Sequence, residues 1–255
     1  MQHIKTSNYK EYSIVSLVFF CSVALEHERI GIRDCSLPFD WLITSDFRKV
    51  LELIENNFEG FLLEENLYQE ASINPNYYYD SNTGFHFYHD FVYSKPLKTQ
   101  YDIVKKKFDK RIKRFYNLIS QPTLFVRYCN TIEELEYIVK HKDYILELLR
   151  KYNEKNEIIY ITSQKYDNTI EGIYFVEADK NDSVARNYLK KIPHLEQILL
   201  DRCIITREQI KHNQDKAKQK YRFPKQILKK LKKIIGHIMT KAGLYYHHSK
   251  QYTNL

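Results

Sequence analysis

Glycine and proline are scarce in this chain, six of each in 255 residues, and tryptophan occurs once. The glycines form no G-x-x-x-x-G-K-[ST] or G-x-G-x-x-G loop to cradle phosphates, and no G-x-S-x-G elbow to present a serine. The four cysteines, Cys21, Cys35, Cys129 and Cys203, contain no C-x-x-C pair and no disulfide-framework spacing. They read as reduced thiols of a cytosolic protein. His86 and His89 are spaced i, i+3, without the i, i+4 helical pair or C-x-x-C that a zinc site uses, so neither a metal nor a cofactor is expected. No apolar run reaches the roughly 20 residues of a membrane span. The longest, from Ile14 to Leu25, reads as a buried strand (14–20) entering a helix. Alternatively it is a secretory h-region closed by Ser22-Val23-Ala24.

Acidic residues are what the end of the chain lacks. Residues 207–255 hold 13 Lys/Arg against 2 Asp/Glu, leaving 27 against 30 in residues 1–206. A mildly acidic body with a basic tail is expected, and only the tail calls for an acidic partner. The expected division is therefore 1–206 and 207–255.

Along the body, Asp46 or Ser45 caps a helix through Phe47–Asn57, and residues 64–84 read as a long surface excursion closed by Asn82-Thr83-Gly84. Phe85–Phe91 has strand character. A helix over 98–119 turns Tyr101, Ile103, Val104, Phe108, Ile112, Phe115, Tyr116 and Ile119 inward, its lysines staying in water and Arg111 and Arg114 free to bracket acidic groups. Thr123–Tyr128 is a buried strand. Thr131-x-x-Glu134 is a capping box that opens a helix to about Tyr152. Strands at 158–162 and 170–176, helices at 183–192 and 194–200, and a short strand at 203–205 follow. The alternation predicts α+β or α/β, with helices around a central sheet.

Cys21 stands after the apolar run and at the head of a helix-like segment, with Cys21, Ala24, Leu25 and Glu28 at i, i+3, i+4 and i+7 and Ile30-Gly31-Ile32 as its stop. A helix N-terminus lowers a thiol pKa and makes a nucleophile. A buried core cysteine fits the same spacing.

Ser16-Leu17 with Cys21-Ser22-Val23-Ala24, then Ile32-Arg33-x-x-Ser36-x-Pro38-Phe39-Asp40-Trp41, resembles the opening of a bacterial papain-like cysteine peptidase family otherwise catalogued as a domain of unknown function. His89-Asp90-Phe91, Arg111-Ile112-x-Arg114-Phe115 and Leu124-Phe125-Val126-Arg127 match it further, and the likeness covers about residues 14–130. Where the family has a glycine ahead of the cysteine, Val18 and Phe19 stand here. The resemblance implies a papain-like cysteine-hydrolase core with Cys21 as nucleophile. It selects His89 over His86 as base and acid. Asp40 is the expected orienter of that imidazole, because Asp90 follows His89 directly and successive strand residues face opposite ways. Trp41, Ser36 and Arg127, all in matching segments, are the expected substrate contacts. Proteins resembling the family are associated with surface-polysaccharide machinery, which implies a lipid-linked glycan or acyl substrate.

In the tail, Ile227, Leu231 and Ile235 lie on an apolar stripe, and Lys225, Lys229, Lys230, Lys232 and Lys233 fill the other positions. This is the pattern of an interfacial helix on an anionic membrane surface. A cytoplasmic, peripheral thiol enzyme is the first reading. A non-catalytic membrane-surface adaptor on the same fold is the second. Nucleic acid ranks last, since Tyr245-Tyr246 alone brings aromatic residues among the tail's basic ones.

Overall fold

The computed structural model describes residues 11–17, 19–44, 46–69, 77–92, 95–166, 171–179 and 187–220. Its central strand is TLFVRYC, buried at all seven positions, as a strand covered on both faces must be. In chain order this is β6 (Thr123–Cys129). It pairs in parallel with β1 (Ser13–Ser16) on one side and β7 (Glu157–Thr162) on the other, and β8 (Ile173–Phe175) lies beyond β7. A parallel bridge from Tyr12 to Cys203 extends the sheet past β1, where sequence expects a strand at 203–205.

Alternate side chains of β6 enter different cores. Leu124, Val126 and Tyr128 join Val23, Ile30, Tyr188, Leu195 and Leu199 on one face. These come from α1 (Ser22–Ile30), α6 (Tyr188–Lys191) and α7 (Pro193–Arg202). Phe125 and Cys129 face the other way, into a core with α2 (Phe47–Glu55), α3 (Leu97–Ile119), α4 (Ile132–Lys140) and α5 (Lys142–Arg150). The helix expected over 131–152 is divided at His141 (φ −114°, ψ 18°), and both halves still turn Leu135, Ile138, Ile145, Leu148 and Leu149 into that core.

An antiparallel sheet in the order β2-β5-β4-β3 completes this mixed α+β fold. Its strands are β2 (Leu42–Ile43), β3 (Leu67–Gln69), β4 (Tyr78–Asp80) and β5 (Phe85–Phe87). The stretch read as a surface excursion thus supplies two strands. Asp80 makes this possible. Buried at the end of β4, it accepts the Leu62 N–H at 2.9 Å with Oδ2 and the Asn82 N–H at 3.0 Å with Oδ1, fixing the turn into β5. Around this sheet Phe39, Phe58, Phe61, Phe85 and Phe115 form a connected aromatic cluster, each pair contributing ~0.5–1.5 kcal/mol beyond area burial.

α1 stops at Gly31, whose left-handed backbone (φ 82°, ψ 8°) turns its N–H to the Glu28 carbonyl. Residues 207–220, helical and here α8, cross over this turn. Asn213 Nδ2 donates to the Gly31 carbonyl and Gln214 Nε2 to that of Ile30, each at 3.0 Å, while Ile210 and Ala217 are buried. The first 14 residues of the expected tail are therefore packed on the body, because they supply the polar groups that the end of α1 leaves unsatisfied. A Cβ on Gly31 would lie 2.3 Å from the Ile210 carbonyl oxygen. Gly31→Ala is expected to cost on the order of 2–3 kcal/mol from left-handed strain and lost docking, read as a lower denaturant midpoint. A midpoint equal to that of the unaltered chain would contradict it.

Candidate active site

Leu17 follows β1 at its carboxyl end, the edge where ligands of open parallel sheets bind. Cys21 occupies the N-cap position of α1. Its backbone is already helical (φ −59°, ψ −9°), and its carbonyl accepts the Leu25 N–H at 2.9 Å. Its side chain makes no capping bond and the first turn holds no acid, so no carboxylate there offsets the positive end of the helix dipole. Cys21 is half-buried; in the residues that precede it the Phe19 and Phe20 rings meet edge-on, and the Phe20 ring also meets Tyr128. Burial pushes the Cys129 thiol well above its usual range, and Cys203 is also wholly buried. Cys35 is half-buried and its pKa is raised by burial, against the pull of Arg114. A thiolate forms less readily in such surroundings than at a helix head.

The block Arg33–Trp41 folds onto itself. Arg33 donates from Nε and Nη2 to Asp40 Oδ2 at 3.0 and 2.9 Å, and from Nη2 to Ser36 Oγ at 2.8 Å. The Leu37 N–H adds a third bond to Oδ2 at 2.8 Å. Burial raises the Asp40 pKa, with Arg33 and that N–H opposing it. Phe39 enters the aromatic core, and Trp41 stays half-buried with the Arg33 guanidinium 5.1 Å and Lys220 Nζ 5.7 Å from its ring centroid.

His89 follows β5, is exposed, and meets the Trp41 ring edge-on at 5.9 Å. Among the described residues it forms no hydrogen bond, and none joins it to Asp40. The carboxylate expected to orient His89 is engaged by Arg33 instead, since a buried acid needs the nearest cation and N–H donors to offset its desolvation. Asp90 carries a buried carboxylate that pairs with Lys107 at 2.6 Å and Arg111 at 3.5 Å. His86 packs between Tyr77 and Tyr79, its ring 5.1 and 4.7 Å from theirs.

The family model for "Putative papain-like cysteine peptidase (DUF1796)" matches residues 12–162. The chain belongs to this family. The matched span runs from β1 through β7, so it holds Cys21, the Arg33–Trp41 block and His89 together. The chain is also 26% identical over 133 residues to an uncharacterized protein, R408, of Acanthamoeba polyphaga mimivirus, covering 44% of this chain and 60% of that protein. The present chain thus spans about three fifths of the length of that relative. No solved structure matches.

Within the papain-like family region, Arg127 is the largest correction to the expected site. It is fully buried and reaches no surface where a substrate binds. It donates to Glu134 Oε1 from Nε at 2.8 Å, to the Leu17 carbonyl from Nη1 at 3.1 Å and to the Thr44 carbonyl from Nη2 at 3.1 Å. The Thr44 N–H in turn donates to the Phe19 carbonyl at 3.1 Å. One guanidinium therefore ties the segment before Cys21 to the segment after Trp41. Glu134 does not close the expected capping box. Its N–H donates to Thr131 Oγ1 at 3.2 Å, but its carboxylate serves Arg127 and the Asn130 N–H. Ser36 is half-buried and accepts from Arg33. A cavity of about 330 Å³ opens between the first turns of α2 and α4, and none of Cys21, Trp41 and His89 lines it. Lys225, Ile227, Lys229, Lys230, Leu231, Lys232, Lys233 and Ile235 lie outside the described residues. Among the described residues no helix is long and apolar enough to cross a membrane.

The roles missed from sequence are Arg33 as the holder of Asp40 and Lys107, expected in water, as a partner of Asp90. Ile103, expected inward, is 71% exposed. Lys107 forms an α3 trio with Arg111 and Arg114, which the sequence did single out. The trio's spacing of i, i+4 and i+7 was visible, and it puts all three on one face of the helix.

Proposed function

We propose that the chain is a thiol-dependent hydrolase or acyltransferase with Cys21 as nucleophile and His89 as general base and acid. The observation that carries this reading is Cys21 at the head of α1, with no acid in the first turn, inside the family region. His89 takes the thiol proton as sulfur attacks the acyl carbon, and the charge on the former carbonyl oxygen is met by first-turn N–H groups, which have no intrahelical acceptor. Collapse expels the amine or alcohol, protonated by His89, and leaves a Cys21 thioester. Water, or a second hydroxyl or amine acceptor, gives its proton to His89 and releases the thiolate. Asp40 acts at one remove, holding Arg33 against Trp41, and Trp41 walls the imidazole.

The chain is read as working in the cytoplasm, with its basic tail against an anionic membrane and a lipid-linked glycan or acyl donor as substrate. The experiment is labelling with a thiol-directed acyl probe at neutral pH. Cys21→Ala is expected to abolish labelling, Cys35→Ala to leave it intact, and His89→Gln to slow it by ~10²-fold or more. Undiminished labelling of Cys21→Ala would end the reading. Sedimentation with phosphatidylserine vesicles tests the tail: removal of residues 222–255 is expected to abolish co-sedimentation.

A further inference from the structure

The site's charge is out of keeping with the body that carries it. Residues 1–206 hold 27 Lys/Arg against 30 Asp/Glu. Yet Lys107, Arg111 and Arg114 project along one face of α3 towards the Arg33–Trp41 block. Together with Arg33 they make four cations, and the carboxylates engaged with them are two, Asp40 and Asp90. Asp34 is exposed and takes a hydrogen bond from Asn213 of α8 at 2.8 Å. Arg114 is exposed and, among the described residues, has no hydrogen bond or ion pair. Its charge nonetheless acts on both Arg111 and the Cys35 thiol, as does that of Arg33.

The donors are not all used. Arg33 spends Nε and Nη2 on Asp40 and Ser36, and Arg111 spends Nη1 on Asp90. Arg33 Nη1 and Arg111 Nε and Nη2 donate to no acceptor among the described residues, and none is sealed from solvent. A guanidinium held by a carboxylate on one edge and open on the other is the geometry with which arginine grips an oxyanion.

We infer that Arg33, Arg111 and Arg114 form a phosphate-recognition site beside Trp41 and His89, and that the chain's substrate carries a phosphate group there. The open donors of three guanidinium groups outnumber what the two oxygens of one carboxylate accept, and they suit a phosphate, which presents three acceptor oxygens and about −1.5 to −2 charge at neutral pH. Lys107 shares Asp90 with Arg111 at the shorter distance, 2.6 Å against 3.5 Å, and so takes up much of that acid's charge. Calling the bound anion part of a substrate rests on the thiol-enzyme reading above; the anion site itself does not.

The sole tryptophan is the reporter, since Arg33 lies 5.1 Å from its ring centroid. The full chain is titrated with inorganic phosphate, and in parallel with acetate at matched ionic strength, following Trp41 emission and binding heat. Phosphate is expected to give a saturable response whose Kd weakens at least tenfold in Arg114→Gln. Lys113→Gln, exposed and about 100° round the helix from Arg114, is expected to leave Kd within twofold. The inference is overturned by the absence of both heat and emission change. It is also overturned by equal weakening in the two variants, or by acetate binding as tightly as phosphate. Cys21→Ala is expected to keep the phosphate response, so lost phosphate binding with intact labelling sinks this inference alone. Lost labelling specificity with intact phosphate binding sinks only the thiol chemistry.

Discussion

Arg127→Ala is expected to destabilise the fold by about 3–5 kcal/mol, the range for removing one partner of a buried ion pair. The guanidinium is fully buried, and Glu134, its carboxylate partner, is 5% exposed. Removing Arg127 strands that carboxylate without its cation. It also strips the Leu17 and Thr44 carbonyls of their donors, and empties the space over the Phe47 ring, which the guanidinium carbon overlies at 5.1 Å. The Glu134 pKa is already raised by burial, with Arg127 as the chief opposing influence, so the stranded acid takes up a proton in the variant. Arg127→Met with Glu134→Leu removes both charges and is expected to recover much of the loss. The double variant still leaves the two carbonyls unpaired. Its thiol labelling is therefore expected to stay impaired after stability returns, because the bond from the Thr44 N–H to the Phe19 carbonyl is then left to tie the Cys21 segment to the segment after Trp41 without the guanidinium. Denaturant unfolding of the single and double variants measures the first effect, and the labelling rate at Cys21 the second. A single variant within 1 kcal/mol of the unaltered chain would refute the clamp.

Arg127 also shows where sequence stops being informative. The strand that carries it was legible, since Thr123-Leu124-Phe125-Val126 and then Tyr128 give a near-continuous apolar, β-prone stretch that suits a doubly covered strand. The same holds for Cys21 before a helix and for Gly31 as that helix's stop, both consequences of contacts a few residues long. What Arg127 does there depends on Leu17, Thr44 and Glu134, up to 110 positions away, and no local period records such partners. The hairpin from Leu67 to Asp80 was missed for a related reason. Its strands are three residues each, too short to show an alternation, and β4 is anchored at its end by one buried carboxylate, Asp80, whose partners Leu62 and Asn82 no local period records. Asp40 was assigned to His89 because strand alternation turned Asp90 away, whereas Arg33, seven residues before Asp40, makes the stronger claim. The α3 stripe was read in part. Arg111 does bracket an acid, Asp90, while the lysines expected to stay in water include Lys107, which pairs with the same group.

Below pH 6.5 the protein is expected to lose stability through a single buried imidazole. His27 lies on the inner face of α1, is 2% exposed, and its Nε2 has no hydrogen-bond partner among the described residues. Burial, and then the positive charge of Arg33, lower its pKa from 6.5 to about 3. The unfolded chain therefore binds the proton first as pH falls, and stability is lost progressively from about 6.5 down towards 3. At 1.36 kcal/mol per unit, this amounts to roughly 2 kcal/mol at pH 5 and on the order of 4–5 kcal/mol over the whole window. Asp40 and Glu134 act with the opposite sign, since burial raises both and each binds its proton more readily folded than unfolded. The clean measurement is thus a difference between two proteins. His27→Leu keeps a side chain of similar bulk, sacrifices no bond at Nε2, and is expected to match the unaltered chain within about 1 kcal/mol at pH 7.5. At pH 5 it is expected to be more stable by about 2 kcal/mol, with a shallower fall of denaturant midpoint between pH 7 and 4. Equal slopes for the two would show that the imidazole is protonated in the folded state, and Arg33 would then need a second anion to tolerate it. Because Arg33, held by Asp40, is also the cation that lies against Trp41, a charged His27 would repel the group on which the site's geometry depends. Thiol labelling is accordingly expected to fail in acid before the fold does, and His27→Leu to shift that failure to lower pH.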